Sequence, residues 1–209
     1  GGQLVALGEN GRTLQPFDIP PTGLVVGRNS DHEIFQNDPF LEREHAELLP
    51  SRNGGTTVRD LSAENGIFRR ITTPTRLLDG VRIRLGDQLL SFQRVPEPGS
   101  SQTDARLVGS PDPGYWCRLI LSLGGGRYAH AQAFADNPVV IGRNEGDMTF
   151  PNNEFISGRH AKIEHRDGQV WLDDLDSTNG TFLEIDGEYT LKDGDRLMFG
   201  TQVVEYQAN

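Results

Sequence analysis

The chain repeats its own polar landmarks at a nearly constant spacing, and no other feature constrains its fold as strongly. Three landmarks in the first half have counterparts further along, at these offsets: Arg28 to Arg143, 115 residues; His45 to His160, 115; Asn65 to Asn179, 114. A constant offset across separated landmarks indicates an internal duplication. The 209 residues are therefore predicted to form two domains of about 95 residues each, which is an ordinary domain size.

A segment without periodicity separates the two repeats. Residues 96–114 are rich in Pro, Gly, Ser and Asp, a composition typical of an exposed linker. The sequence thus predicts a first domain at 3–95, a linker at 96–114 and a second domain at 115–207.

Both repeats consist of short apolar segments bounded by turn residues. No segment keeps a 3.6-residue apolar period over three turns, so helix is expected to be scarce. Strands with frequent turn signals predict an all-β fold in which each repeat is a β-sandwich. The second repeat contains three predicted hairpins, which pair 117–123 with 127–134, 160–165 with 169–173, and 196–199 with 202–206.

The charge balance argues against some classes of partner. The net charge is −10, from 20 basic and 30 acidic residues, whereas nucleic-acid and anionic-membrane surfaces require clustered positive charge. No apolar run approaches the roughly 20 residues that cross a bilayer, and no signal peptide is visible. The single cysteine, Cys117, rules out an intrachain disulfide and is predicted to be a buried core residue. We expect a reducing, cytoplasmic location.

Polar residues of the second repeat fall in loops next to predicted strands, where residues distant in sequence can converge. A guanidinium, hydroxyls and a free amide suit a tetrahedral dianion such as phosphate. Six residues offer such groups: Arg143 and Arg159 contribute cations, Ser157 and Thr178 hydroxyls, Gly158 an accessible backbone N–H, and Asn179 a side-chain amide.

The second repeat resembles a forkhead-associated (FHA) domain, a β-sandwich that binds phosphothreonine peptides. The resemblance rests on four motifs: Gly142-Arg143 after a strand, Ser157-Gly158-Arg159-His160, the run 175–182 (LDSTNGTF) and the run 193–197 (DGDRL). It implies the following roles: Arg143 and Ser157 bind the phosphate, Gly158 and Arg159 add backbone and charge contacts, Thr178 supports the phosphothreonine, and Asn179 bonds the peptide main chain. It also implies structural support from Gly142, His160 and Gly180. Selectivity for the residue three places after the phosphothreonine is expected from the loop 145–155 and the turn after Asn179.

The first repeat resembles the same family, but its site is predicted to be degenerate. It keeps Arg28, His45 and Asn65, while carboxylates replace three donors: Glu42 stands for Ser157, Glu44 for Arg159 and Glu64 for Thr178. One like-charge pair at a few ångströms costs about 4 kcal/mol before screening, at an effective dielectric constant of about 20. Our hypothesis is that Glu42 or Glu64 pairs with Arg28 and fills the anion position.

Together these features predict a signalling adaptor that binds phosphothreonine through its second domain, without catalysis, cofactor or metal. The expected partner is a protein phosphorylated by a Ser/Thr kinase, and a contact between the two domains stays open. The alternative is a phosphate-independent scaffold or dimerisation module. Thr103 of the linker, once phosphorylated, could occupy the second domain's pocket in cis or in trans, although the favoured interpretation is an ordinary linker residue.

An enzyme and a calcium site are both disfavoured by their sequence context. Ser157 and His160 lack the strand-turn-helix setting of a nucleophile, and no third group is placed to orient the histidine. The acidic stretch 173–176 lacks the glycine and glutamate of a calcium-binding loop.

Overall fold

The computed structural model describes residues 1–8 and 11–209 and is almost entirely β. The one α-helix in these residues, α1 (Glu33–Gln36), is a single turn. The predicted all-β class is therefore confirmed. The chain forms two compact units, and neither is a continuous segment: unit 1 comprises Gly1–Arg70 and Phe182–Asn209, and unit 2 comprises Ile71–Thr181.

Unit 1 is built from two antiparallel sheets. Its strands are β1 (Gly2–Leu7), β2 (Thr13–Asp18), β3 (Leu24–Val26), β4 (Ala46–Pro50), β5 (Thr56–Asp60), β6 (Ile67–Arg70), β16 (Thr181–Glu184, entering from unit 2), β17 (Glu188–Thr190), β18 (Arg196–Phe199) and β19 (Gln202–Ala208). One sheet has the order β16-β6-β18-β19-β1-β2, and the other has the order β17-β5-β4-β3.

Unit 2 also consists of two sheets, one of which contains a parallel strand pair. Its strands are β7 (Thr75–Arg76), β8 (Arg82–Leu85), β9 (Gln88–Arg94), β10 (Cys117–Leu123), β11 (Arg127–Phe134), β12 (Val139–Gly142), β13 (Met148–Thr149), β14 (Ala161–Arg166) and β15 (Gln169–Asp174). The strand order is β11-β10-β9-β8 in one sheet and β13-β12-β14-β15-β7 in the other.

The two repeats exchange their closing hairpins. The last strand of the second repeat, β19, pairs with β1 of the first, with Gly2 opposite Ala208. Conversely, the last strand of the first repeat, β9, pairs with β10 of the second, with Cys117 opposite Arg94. Both repeats carry the same strand pattern, so either hairpin can satisfy the backbone hydrogen bonds of either sheet edge.

The units therefore differ from the sequential domains predicted at 3–95 and 115–207. Residues 96–114 contain no helix or strand and are almost wholly exposed. They lie within unit 2 and do not join one unit to the other. The chain passes between the units at Arg70–Ile71 and at Thr181–Phe182.

Alternating strand residues fill the interior of each unit. Burial of one such side chain is worth about 1.5–3 kcal/mol. Unit 1 buries Leu4, Val26, Phe35, Leu48, Val58, Leu197, Phe199, Val204 and Tyr206. Unit 2 buries Ile83, Leu90, Phe92, Leu119, Ile141, Ile163 and Leu172.

Cys117 is buried in unit 2. Burial raises the pKa of its thiol to about 12, because the thiolate is poorly solvated there. This placement agrees with the core role predicted for it. Among the described residues, none of the helices has the length and apolar character required to span a membrane.

Candidate functional site

Three loops of unit 2 carry the predicted site residues, and strand pairing places all three at the same end of one sheet. In the pairing of β12 with β14, Ile141 lies opposite Ala161. In the pairing of β14 with β15, Ala161 lies opposite Asp174. The end of β12, the start of β14 and the end of β15 therefore meet. The loops that leave these ends contain Arg143, 157–159 and 178–179.

Backbone hydrogen bonds fasten the loops to one another. The Arg143 N–H donates to the Ser157 carbonyl oxygen at 2.9 Å, and the Glu145 N–H donates to the Gly158 carbonyl oxygen at 3.1 Å. The Ser157 Oγ accepts the Thr178 N–H at 3.1 Å. The structure thus brings Arg143, Ser157 and Thr178 together, as the sequence predicts.

Gly142 supports this arrangement because nothing larger fits. A Cβ atom at this position would overlap the carbonyl oxygens of Gly158 and Glu145. Glu145 lies in the loop that follows β12, and Gly158 lies in the loop that leads into β14. A glycine is therefore required for the loops to approach this closely.

His160 braces the loops from within. It is completely buried; its Nδ1 accepts the Ser157 N–H at 3.1 Å, and its Nε2 lies 2.9 Å from the Gly180 carbonyl oxygen. These contacts fit the neutral tautomer with the proton on Nε2. The ring joins the Ser157 loop to the Gly180 turn from inside the unit.

Asp174 organises the loop of Thr178 and Asn179, a role that the sequence interpretation missed. Its carboxylate accepts the Ser177 N–H at 3.0 Å and the Ser177 hydroxyl at 2.6 Å. It also accepts the Thr181 hydroxyl at 2.6 Å. The Ser177 Oγ in turn accepts the Gly180 N–H at 2.9 Å. The acidic stretch 173–176 is the sequence signal for this role.

Asn179 is exposed, and the Nδ2 end of its side-chain amide forms a hydrogen bond. Its Nδ2 donates to the Phe155 carbonyl oxygen at 2.9 Å, which orients the Oδ1 end for another donor. The Phe155 side chain is 53% exposed beside it. An exposed aromatic side chain beside a polar site can pack against a ligand.

The charge of Arg143 is uncompensated. The residue is half-buried, and its guanidinium makes no hydrogen bond or ion pair with any residue in 1–8 or 11–209. Arg159 lies exposed nearby in sequence. No group of three His, Cys, Asp or Glu side chains in the same residues is arranged to hold a metal ion. The site therefore presents positive charge and hydroxyl groups, which suit an anion.

The corresponding loops of unit 1 repeat this scaffold. His45 accepts the Glu42 N–H at 3.2 Å and lies 2.8 Å from the Gly66 carbonyl oxygen through Nε2. The Asn65 Nδ2 donates to the Phe40 carbonyl oxygen at 2.9 Å. These are the contacts that His160 and Asn179 make in unit 2.

The polar groups of unit 1 are arranged differently. The Glu42 Oε1 accepts the backbone N–H groups of Ala63 at 2.7 Å and Glu64 at 3.2 Å. The Arg28 Nε donates to the Leu41 carbonyl oxygen at 2.7 Å. Within 1–8 and 11–209, Arg28 forms no ion pair with Glu42 or Glu64. The predicted pairing is therefore wrong: fixed backbone amides satisfy the carboxylate, and the exposed Arg28 stays solvated.

Comparison with known proteins agrees with this geometry. The model of the FHA domain family matches residues 24–86 and 139–200, which together make up more than half of the chain. The chain belongs to the FHA domain family. Two FHA domains and a β-sandwich fold are thereby confirmed, although the matches alone do not show the hairpin exchange.

Several FHA proteins are similar to parts of this chain. The E3 ubiquitin-protein ligase CHFR of Danio rerio is 39% identical over 68 residues, covering 29% of this chain and 10% of that protein. The FHA domain-containing protein FhaB of Mycobacterium tuberculosis is 28% identical over 78 residues, covering 37% of this chain and 50% of FhaB. This chain thus matches a tenth of one relative and half of the other.

Among solved structures, one described as a structural and functional analysis of phosphothreonine-dependent FHA domain interactions is 28% identical. It covers 44% of this chain and 95% of its own, with a TM-score of 0.27.

Proposed function

We propose that unit 2 binds phosphothreonine peptides and that the chain acts as a signalling adaptor through this site. The observation that carries the proposal is the unpaired guanidinium of Arg143 on loops that are already fastened to Ser157 and Thr178. A half-buried cation without a partner gains most from a dianionic ligand, because it gives up little existing pairing.

Recognition would proceed by charge-assisted hydrogen bonds, with no bond made or broken. Arg143 and the Ser157 hydroxyl hold the phosphate, and the N–H of Gly158 and the charge of Arg159 add to it. Thr178 supports the phosphothreonine. The Oδ1 of Asn179, whose Nδ2 is held by the Phe155 carbonyl oxygen, accepts an N–H of the peptide main chain.

Unit 1 would be a degenerate copy with a structural or phosphate-independent role. The Glu42 carboxylate accepts two backbone N–H groups, so an internal anion stands where unit 2 has the neutral hydroxyl of Ser157. Glu44 and Glu64 add negative charge. A second anion there would meet repulsion that Arg28 alone could not offset.

The partner would be a protein phosphorylated by a Ser/Thr kinase in the cytoplasm. Selectivity for the residue three places after the phosphothreonine would come from the loop 145–155 and the turn after Asn179. The exposed Phe155 ring is the largest apolar surface in that loop.

The test compares matched arginines of the two units in the full chain. A phosphothreonine peptide is selected from an oriented library, and its affinity is measured by titration calorimetry. Arg143→Ala should weaken binding at least about tenfold, because a hydrogen bond to a charged group contributes about 1.5–3 kcal/mol. Arg28→Ala should leave the affinity unchanged.

Equal affinity of wild type and Arg143→Ala would refute the assignment of the site. A loss caused by Arg28→Ala instead would assign phosphate binding to unit 1. Binding that is indifferent to phosphate would favour the alternative of a phosphate-independent scaffold.

A further inference from the structure

The exchange brings a turn of the first repeat against the site of the second. The turn between β8 and β9, at Gly86 and Asp87, belongs to the first repeat but packs in unit 2. A Cβ atom on Gly86 would lie 2.9 Å from the Ile156 Cγ1 and 3.3 Å from the Phe155 Cβ. The turn therefore supports the loop that leads directly into Ser157.

Asp87 is the polar contact of this turn. Its Oδ1 accepts a hydrogen bond from the Asn153 Nδ2, and Asn153 is only 7% exposed. The Asn153 Oδ1 accepts the Phe155 N–H at 3.1 Å, while its carbonyl oxygen accepts the Ile156 N–H at 3.3 Å. Asn153 thus fixes the two residues before Ser157, and Asp87 fixes the Asn153 amide.

The chain of hydrogen bonds continues from Asn153 to Asn179, the residue proposed to contact the peptide main chain. Phe155, held by Asn153, offers its carbonyl oxygen to the Asn179 Nδ2 at 2.9 Å. We propose that Asp87, contributed by the first repeat, is a positioning residue for the phosphopeptide site of the second. It acts through Asn153 on the loop of Phe155 and Ser157. The proposal rests on the function proposed above for unit 2.

Unit 1 has the equivalent contact between a loop residue and a turn residue, which we call the junction, but with different residue types. Asp38, which corresponds to Asn153, is 3% exposed. Its Oδ2 accepts the Thr201 N–H at 2.8 Å and the Thr201 hydroxyl at 2.7 Å, and its Oδ1 accepts the Phe40 N–H at 2.9 Å. Thr201, which corresponds to Asp87, belongs to the second repeat. Each unit thus pairs one loop residue with one turn residue from the other repeat.

The residue types at this junction favour the exchanged arrangement. If each repeat closed on its own hairpin, the buried carboxylate of Asp38 would face the exposed carboxylate of Asp87, with no donor between them. Like charges at such short range strongly disfavour ionisation of both groups. The exchange separates them, giving Asp38 the donors of Thr201 and Asp87 the donor of Asn153.

A buried pair in unit 1 also favours the exchanged arrangement. In unit 1 the Tyr206 hydroxyl donates to the Thr56 Oγ1 at 3.0 Å, and both residues are buried. The corresponding positions of unit 2 carry Phe92 and Val170, which lack hydroxyl groups. Closure of each repeat on itself would set Tyr206 against Val170 and Thr56 against Phe92. Two buried hydroxyls would then lose their partners, which is unfavourable.

The experiment transplants the junction of unit 1 into unit 2 of the full chain. Asn153→Asp alone sets a carboxylate against Asp87 and should weaken binding of the library-selected phosphothreonine peptide by roughly tenfold. The double variant Asn153→Asp/Asp87→Thr recreates the Asp–Thr pair of unit 1. It should restore the Kd to within about threefold of wild type. Fluorescence anisotropy gives the Kd, and thermal denaturation gives the Tm of each variant.

The matched control makes the converse change in unit 1. Asp38→Asn/Thr201→Asp installs the pair of unit 2 there and should leave the peptide Kd unchanged. Asp87→Asn keeps an oxygen acceptor for Asn153 and should bind like wild type, whereas Asp87→Ala should bind as weakly as Asn153→Asp. All Kd values are measured well below the lowest Tm, so that global unfolding does not contribute.

The outcomes separate this proposal from the proposed function. If wild type binds and Arg143→Ala weakens binding, but Asn153→Asp and Asp87→Ala bind like wild type, only the positioning role is overturned. A double variant as weak as Asn153→Asp overturns it as well. If Arg143→Ala has no effect, the site itself is misassigned, and the role of Asp87 falls with it.

Discussion

The side chain at position 157 is where the two sites differ most in charge, and changing it tests the electrostatic argument directly. The Ser157 Oγ accepts the Thr178 N–H at 3.1 Å, and in the other unit the Glu42 Oε1 accepts the corresponding Glu64 N–H at 3.2 Å. The two side chains therefore occupy the same place. Ser157→Glu should carry a carboxylate into the proposed phosphate position and leave the fold intact, as Glu42 does in unit 1.

Two variants separate the lost hydroxyl from the added charge. Ser157→Ala removes one hydrogen bond to a charged group, worth about 1.5–3 kcal/mol, or roughly 10- to 150-fold in Kd. Ser157→Glu adds repulsion between its carboxylate and the phosphate. This repulsion is about 4 kcal/mol per unit charge before screening, at a separation of about 4 Å and an effective dielectric constant of about 20. After screening, we expect Ser157→Glu to bind at least about 100-fold more weakly than Ser157→Ala at low salt.

Fluorescence anisotropy with the library-selected phosphothreonine peptide, at low and at high ionic strength, measures this difference. The gap between the two variants should narrow as salt is raised, because mobile ions screen the repulsion. Their Tm values should stay close to that of wild type. If the two variants have equal Kd values, or if salt leaves the gap unchanged, repulsion at position 157 is not what separates the two sites.

Three further predictions concern the scaffold. His160→Ala should lower the free energy of unfolding by about 2–4 kcal/mol, since two buried hydrogen-bonding groups lose their partner; urea denaturation measures this, and an unchanged midpoint would contradict the bracing role. Cys117 should resist thiol reagents at pH 8 in the folded chain, because its pKa is raised to about 12 and the thiolate is the reactive form; rapid labelling without denaturant would be inconsistent with its burial. The fragment 1–95 should not form a stable sandwich, because closure on its own hairpin sets Asp38 against Asp87. A cooperative thermal transition like that of the full chain would contradict the view that these residues favour the exchanged hairpins.

Much of the site followed from the sequence because its residues lie in loops at strand ends. The offset of 115 residues between Arg28 and Arg143 aligned two copies, and the alternating segments predicted the strands between the loops. Once antiparallel pairing is assumed, the loops of Arg143, Ser157 and Thr178 must converge. Local pattern and short-range pairing together determined this part of the fold.

The exchange did not follow from the sequence in the same way. Both closing hairpins have the same strand and turn pattern, so periodicity cannot say which sandwich each one completes. The information lies in single side-chain pairs, such as Asp87 with Asn153 and Thr56 with Tyr206, which become meaningful only when residues from both repeats are compared. The orientation of Arg28 was likewise missed, because sequence gives the charges of a loop but not which backbone groups lie within reach.

The exchanged hairpins also limit which parts of a duplicated gene can be lost. A spare copy that has lost its ligand is ordinarily free to be deleted. Here, removal of residues 1–95 would take β7, β8 and β9 out of unit 2 and leave β19 without β1. The repeat that carries Glu42 where the other carries Ser157 therefore contributes strands to both units, and its deletion would leave neither sandwich complete.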